Sequence, residues 1–186
     1  MGLSTYKGSF SEEQAARLLW RAGFGPAPGQ AAELAKLGLQ GAVRSLTRPA
    51  STRLVGPAPH DGSGPLAPRD AWGHDHLWWL DRMVRTQAPL VERMTLVWHD
   101  WFATSKASVP QGLMLRQNAL LRRHALGNFE QLALDVTKDP AMLLWLNGTS
   151  NNVWAPNENY ARELQELFCL GARATARATC ASSRGP

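Results

Sequence analysis

Ionisable and amide side chains crowd into the segment 156–167 beside an apolar stripe. They are Asn157, Glu158, Asn159, Arg162, Glu163 and Glu166. Residues three or four apart share a helix face, so Glu163 and Glu166 could present two carboxylates to a metal ion. A row in which Arg162 alternates with carboxylates is also typical of a solvated face, or of a network that ties two helices together. Glu158 and Glu163 are therefore candidate catalytic residues, and the remaining four are candidate members of an Arg/Glu network.

A second candidate for chemistry is His99, which lies between Trp98 and Trp101 and beside Asp100. Burial among aromatic rings could tune the imidazole toward general acid or base catalysis, or leave a ring nitrogen to bind a metal. A histidine that is hydrogen-bonded inside an aromatic core gives the same pattern. The sequence leaves both readings open.

Other histidines and the cysteines do not form a recognisable metal site. His74 and His76 are two apart, whereas a helical chelating pair needs a spacing of three or four, so surface or capping roles are predicted for them. Cys169 and Cys180 have no metal-like spacing. The metal and the cofactors therefore stay unknown at this stage.

The elements that position these residues are predicted to be helices. Pro156 ends a loop and Asn157 can cap a helix whose apolar positions, among them Tyr160 and Leu164, recur at steps of three and four. Further helices are predicted over residues 11–23, twice within 28–47, and over 70–86, 89–104, 110–126, 129–137 and 140–147, with Ser11 and Gln14 forming a capping box.

No segment shows sustained two-residue alternation, so the predicted fold is an all-α orthogonal multi-helix bundle with a Trp-rich core and no substantial sheet. Five residues on periodic apolar faces are predicted to be buried: Trp98, Trp101, Leu143, Leu164 and Leu167. The stretch 49–69 is rich in Pro, Gly and Ser, and it should be an exposed or poorly ordered loop.

Four segments in order resemble one bacterial family, the domain-of-unknown-function family 1800. They read LLWRAGFG (18–25), MTLVWHDWF (94–102), HALGNF (124–129) running on to DPAM (139–142), and NENYAREL (157–164). The resemblance implies a helical, mostly bacterial protein that is usually much longer than 186 residues and has no established activity. It also favours the network interpretation of Arg162 over a bare surface.

Residues 172–186 lack helical periodicity. At this point the sequences of the resembling family continue with Gly-Tyr-Thr/Ser-Glu-x-Asp-Val. One coding sequence for this tail, read in another frame, gives Gly-Tyr-Ser-Glu-Gly-Asp-Val. We therefore expect a frameshifted, non-native or disordered tail after a helical domain at 1–171, which would be the N-terminal part of a longer family domain.

The net charge of +5 by itself suggests a polyanionic partner. Three of the arginines lie in the tail, and residues 1–171 hold only 17 basic against 15 acidic groups. Nucleic acid is therefore an unlikely partner, and an unknown protein or small molecule is expected. No run is long and apolar enough to cross a membrane, and no signal peptide is seen, so a cytoplasmic location is the default, while the family resemblance allows export.

Two hypotheses about function follow. The first is a binding or scaffold module in which the Arg/Glu network is structural. The alternative is an enzyme domain, possibly metal-assisted, in which His99 acts with Glu158 or Glu163 in one cleft. The sequence alone does not decide whether the protein is an enzyme.

Overall fold

The computed structural model describes residues 5–150, 152, 154 and 158–169, without the side chains of Glu158, Asn159 and Leu167. This part of the chain contains α1 (Glu12–Ala22), α2 (Gln30–Lys36), α3 (Gly38–Thr47), β1 (His60–Asp61), β2 (Gly64–Pro65), α4 (His74–Arg85), α5 (Pro89–Trp101), α6 (Gln111–Arg123), α7 (Phe129–Thr137), α8 (Pro140–Trp145) and α9 (Glu158–Glu163). A 3₁₀ turn occupies Gly148–Ser150, and a π-helical turn follows α9 at Leu164–Cys169.

The prediction of a mostly all-α fold is confirmed. The antiparallel pair β1–β2 is only two residues long in each strand, with His60 opposite Pro65 and Asp61 opposite Gly64. Among the described residues, no helix has the length and hydropathy that a membrane-spanning segment needs. The orthogonal packing of the bundle stays a prediction.

Local chemistry sets most helix boundaries. Ser11 and Gln14 form the predicted capping box at the start of α1, where the backbone N–H of Ser11 donates to Gln14 Oε1 at 3.1 Å. Gly38 has φ 63° and separates α2 from α3, since the left-handed region suits glycine. Pro89 begins α5, because a first-turn residue has no intrahelical partner for an N–H group.

Two predicted boundaries are wrong. Helix α4 begins after Gly73, at φ 80°, and not at Asp70, because the backbone turns between Ala67 and Ala71 before the helix starts. The last described helix is α-helical only to Glu163 and continues as a π-helical turn. A π turn contains an extra residue, so the three- and four-residue spacing that predicted one continuous α-helix does not hold there.

The chain divides into two compact units, Met1–Arg93 (unit 1) and Met94–Pro186 (unit 2). The core of unit 1 is built from small and aliphatic side chains of α1, α2 and α3: Ala15, Leu19, Ala22, Ala31, Leu34, Ala42 and Leu46. Alanines at the contact positions let these helices approach closely. The assignment of residues 1–171 to one domain stays a prediction, and the tail at 172–186 lies outside the described residues.

The core of unit 2 is more aromatic. Its buried members are Phe102, Leu120, Leu121, Leu132, Val136, Met142, Tyr160 and Phe168. Phe102 lies 5.3 Å from Phe168 and 6.3 Å from Phe129, measured between ring centroids. Trp98, Leu143 and Leu164 are only partly buried and pack against this cluster.

The prediction of a Trp-rich core is wrong. All eight tryptophans lie among the described residues, and none belongs to the buried core. Trp101, predicted to be buried, is 52% exposed, and Leu167 lies outside the described side chains. Indole rings are large and carry an N–H group that needs a partner, so they lie at the border of these alanine- and phenylalanine-filled cores.

The stretch 49–69 contains no buried residue, and it has defined structure around the β1–β2 hairpin. Asp61 Oδ1 accepts hydrogen bonds from the backbone N–H groups of Ser63 and Gly64, at 2.7 and 2.9 Å. The Asp61 carboxylate therefore closes the hairpin turn in the manner typical of aspartate.

Candidate functional site

Residues 158–169, called the signature segment below, pack into the core of unit 2 through their aromatic side chains. Tyr160 and Phe168 are buried in the core. Tyr160 Oη donates a hydrogen bond to the carbonyl of Thr137 at 2.8 Å, and Trp101 Nε1 donates to the carbonyl of Phe168 at 2.9 Å. Burial raises the pKa of Tyr160, which keeps its hydroxyl in the donating form. These signature residues thus support the fold.

The charged part of the signature is less enclosed. Arg162 is exposed, while Glu163 and Glu166 are half-buried. Asn157 and the side chains of Glu158 and Asn159 lie outside the described part of the structure. The Arg/Glu network, and the roles of Glu158 and Glu163, stay predictions.

His99 lies on α5 and is half-buried. Burial lowers the pKa of its imidazole below the ordinary 6.5, and the nearby Asp100 carboxylate opposes that shift. The ring is therefore neutral at pH 7, as a general base must be before it acts. Its partnership with Glu158 or Glu163 stays a prediction. No group of three or more His, Cys, Asp or Glu suited to a metal occurs within the described ranges.

Unit 2 contains a buried polar network that the sequence did not predict. Asp139 caps α8 by accepting from Met142 N at 3.2 Å, and its Oδ2 also accepts from Gln117 Nε2 at 2.9 Å. Gln117 in turn accepts from the Thr104 hydroxyl. Burial raises the pKa of Asp139 above the ordinary 3.8, although these hydrogen bonds and the charge of Arg116 oppose the shift. The Asp-Pro pair at the helix start was the available sequence signal.

His74 also has a structural role. Its Nδ1 accepts from the backbone N–H of Ala67 at 3.0 Å, and its Nε2 lies 3.0 Å from Asp61 Oδ2. An imidazole whose Nδ1 accepts carries its proton on Nε2, so His74 donates to Asp61. The contact attaches the β1–β2 hairpin to the start of α4, in place of the surface or capping role predicted for His74.

Unit 1 contains a cleft of about 800 Å³. One wall is the turn between α1 and α2, and the other is the end of α4 with the start of α5. Its lining residues are Phe24, Gly25, Pro26, Ala27, Pro28, Gln30, Val55, Met83, Val84, Arg85, Thr86, Gln87 and Pro89. The volume lies in the range of small-molecule clefts, and the lining combines apolar side chains with polar ones such as Gln30 and Gln87.

The second wall is held by hydrogen bonds. The segments around Leu54 and Thr86 pair as an isolated antiparallel bridge, with Val55 N donating to the Arg85 carbonyl at 2.8 Å. The Arg85 guanidinium contacts both carboxylate oxygens of Asp81 and also donates to the carbonyls of Val55 and Gly56. The wall is therefore held by contacts within the chain itself.

The first wall depends on Gly25. This residue has φ 104°, and a Cβ there would lie 2.9 Å from the Trp20 ring. Gly25 therefore lets the indole of Trp20, which is 62% exposed, lie against the turn that lines the cleft. The sequence did not predict the cleft, since residues some sixty positions apart line its two walls.

The comparisons with known proteins identify a family without an assigned activity. No curated protein and no solved structure matches the chain. Residues 17–178 match the family model described as protein of unknown function (DUF1800). This match spans most of the chain and includes all four segments on which the resemblance rests, and the chain therefore belongs to the DUF1800 family.

Proposed function

We propose that this DUF1800 protein is a binding module whose site is the cleft of unit 1. The observation that carries the proposal is the cleft itself, about 800 Å³ in volume, with one wall held by hydrogen bonds. Fixed walls lower the entropy lost on binding, so apolar contact area translates more fully into affinity.

The ligand is uncharged and largely apolar. Arg85 is the one charged side chain among the lining residues that the structure describes, and Asp81 neutralises it through two contacts. A charged ligand would lose its hydration without meeting an opposite charge in this cleft.

The cytoplasmic location predicted from the sequence is kept as part of this proposal.

Binding of the uncharged dye Nile red, followed by its fluorescence, tests the site. Val84 lines the cleft and is 83% exposed, whereas Leu77 lies on the same helix, is 49% exposed and does not line it. We expect Val84→Glu to weaken dye binding about tenfold or more, because it places a charge in the cleft, and Leu77→Glu to leave binding unchanged. Equal effects of the two variants would refute the assignment of the site.

A further inference from the structure

Every nitrogen of the Arg85 guanidinium is hydrogen-bonded within the chain. Its Nε donates to Asp81 Oδ1, and its Nη2 donates to Asp81 Oδ2 at 2.7 Å. The third nitrogen, Nη1, donates to the carbonyls of Val55 and Gly56 at 3.2 and 2.9 Å. A contact with both oxygens of one carboxylate fixes the plane of a guanidinium, so Arg85 is held in place and its charge is matched.

Asp81 acts on the cleft without lining it. Arg85 is one of the residues that line the cleft, and Asp81 is not. The side chains of Arg85 and Asp81 are 18% and 13% exposed, so their ion pair is largely removed from solvent. Without the carboxylate, the guanidinium would be an unmatched charge at a partly buried position. Such a charge is costly unless an anion joins it.

One residue outside the cleft thus controls the charge that a ligand meets inside it. We propose that Asp81 is the specificity-determining residue of the cleft, which pairs with Arg85 so that the site takes uncharged ligands and rejects anions. Removal of the Asp81 charge converts the cleft to a site for apolar anions, because the ligand then replaces the carboxylate beside Arg85. This inference rests on the proposed function of the cleft and assigns the residue that sets its ligand class.

The test compares two dyes on the full chain. Phenylnaphthylamine is uncharged, and anilinonaphthalene sulfonate has the same rings with a sulfonate added. Both dyes fluoresce more strongly in an apolar site, so fluorescence titration gives each affinity. Loss of binding in Val84→Glu but not in Leu77→Glu assigns a dye to the cleft. In the wild type, we expect the sulfonate dye to bind about tenfold or more weakly than the uncharged dye.

The deciding variant is Asp81→Asn, which keeps the size of the side chain and an oxygen that can accept from Arg85. It should raise the affinity for the sulfonate dye about tenfold and leave the affinity for the uncharged dye unchanged. Asp81→Ser removes the same charge with a smaller side chain and should give the same gain. Adding Arg85→Met to Asp81→Asn should abolish the gain, because the cation is then absent.

The matched control is Asp75→Asn on the same helix. Asp75 pairs with His76 and does not line the cleft, so this variant changes the net charge of the chain equally. It should alter neither affinity. A gain equal to that of Asp81→Asn would show a general effect of net charge and would reject the inference.

Other results would also overturn it. If the wild type binds both dyes equally, or if Asp81→Asn gains no affinity for the sulfonate dye, the cleft remains a binding site and Asp81 does not set its specificity. Loss of both dyes in Asp81→Asn and Asp81→Ser alike would show that Asp81 only supports the fold. A gain that survives Arg85→Met would assign the anion to another cation. Failure of Nile red and both dyes to bind the wild type would reject the proposed function itself.

Discussion

The two units bury acidic groups in different ways. In unit 1, Glu92 is 1% exposed and lies 3.2 Å from the guanidinium of Arg82, so a charge meets a charge. In unit 2, Asp139 is 4% exposed and accepts from the uncharged amide of Gln117. Arg82 and Glu92 form an ion pair. Asp139 is hydrogen-bonded to a neutral amide, and its burial raises the pKa of the carboxyl. Unit 1 should therefore be more sensitive to losing a charge, and unit 2 to losing a hydrogen bond or changing pH.

The largest effect is expected in unit 1. Arg82→Met keeps the length of the side chain, removes the guanidinium that pairs with Glu92 and should lower the free energy of unfolding by about 3 kcal/mol. The matched control is Lys36→Met, since Lys36 and Glu33 form an exposed pair, and it should cost less than about 0.5 kcal/mol. Urea unfolding measures both. Similar losses in the two variants would contradict the idea of a buried ion pair.

A smaller loss is expected from the neutral network of unit 2. Gln117→Leu leaves Asp139 and the Thr104 hydroxyl without their amide partner, and should cost about 2 kcal/mol in the free energy of unfolding. Gln131→Leu removes a comparable bond to Asp135 on an exposed face and should cost less than about 0.5 kcal/mol. Equal losses in the two variants would show that the buried hydrogen bonds of Gln117 stabilise the fold no more than the exposed bond of Gln131 does.

The pH dependence of unit 2 sharpens the comparison further. Because the folded-state pKa of Asp139 is raised above 3.8, the folded chain binds this proton more tightly than the unfolded chain. Stability from this group is fully present below pH 3.8 and is lost as the pH rises through the folded-state pKa. As the pH rises through this range, the free energy of unfolding of the wild type should fall relative to that of Asp139→Asn. A constant difference between the two proteins at all pH values would reject the raised pKa.

His99 should show the opposite sign. Its folded-state pKa is lowered below 6.5, so the unfolded chain binds the proton more tightly. Its contribution to stability is present above pH 6.5 and is lost as the pH falls through the folded-state pKa. Compared with His99→Gln, the wild type should lose stability on acidification below pH 6.5, as measured by urea unfolding at several pH values. A gain on acidification would show that His99 has an anionic partner in the folded state.

The smallest change in the free energy of unfolding is expected for Arg162 in the signature segment. If Arg162 joins two carboxylates, Arg162→Lys keeps the charge and loses the planar fork, and it should lower the free energy of unfolding by up to about 1 kcal/mol because the residue is exposed. Thermal unfolding measures the change. An unchanged melting temperature would remove Arg162 from any structural network.

Sequence patterns predicted those features that depend on near neighbours. The capping box of Ser11 and Gln14 and the start of α5 at residue 89 each follow from the preferences of one or two residues. The all-α class followed from the absence of two-residue alternation, and the family from four ordered segments. The start of α4 was misplaced because Gly73 initiates it from a left-handed conformation that the sequence pattern did not indicate.

The sequence by itself determined the helical class, the capping box of α1 and the family of this protein. Only the tertiary structure decided which polar groups are buried and paired, since Asp139 meets Gln117, and Asp61 meets His74, across intervals that no local spacing encodes. It also decided that the tryptophans lie outside the cores and that two distant turns form a cleft. The physical reason is that helix formation depends on backbone preferences over a few residues. Burial and pairing depend instead on how whole faces of helices fit together.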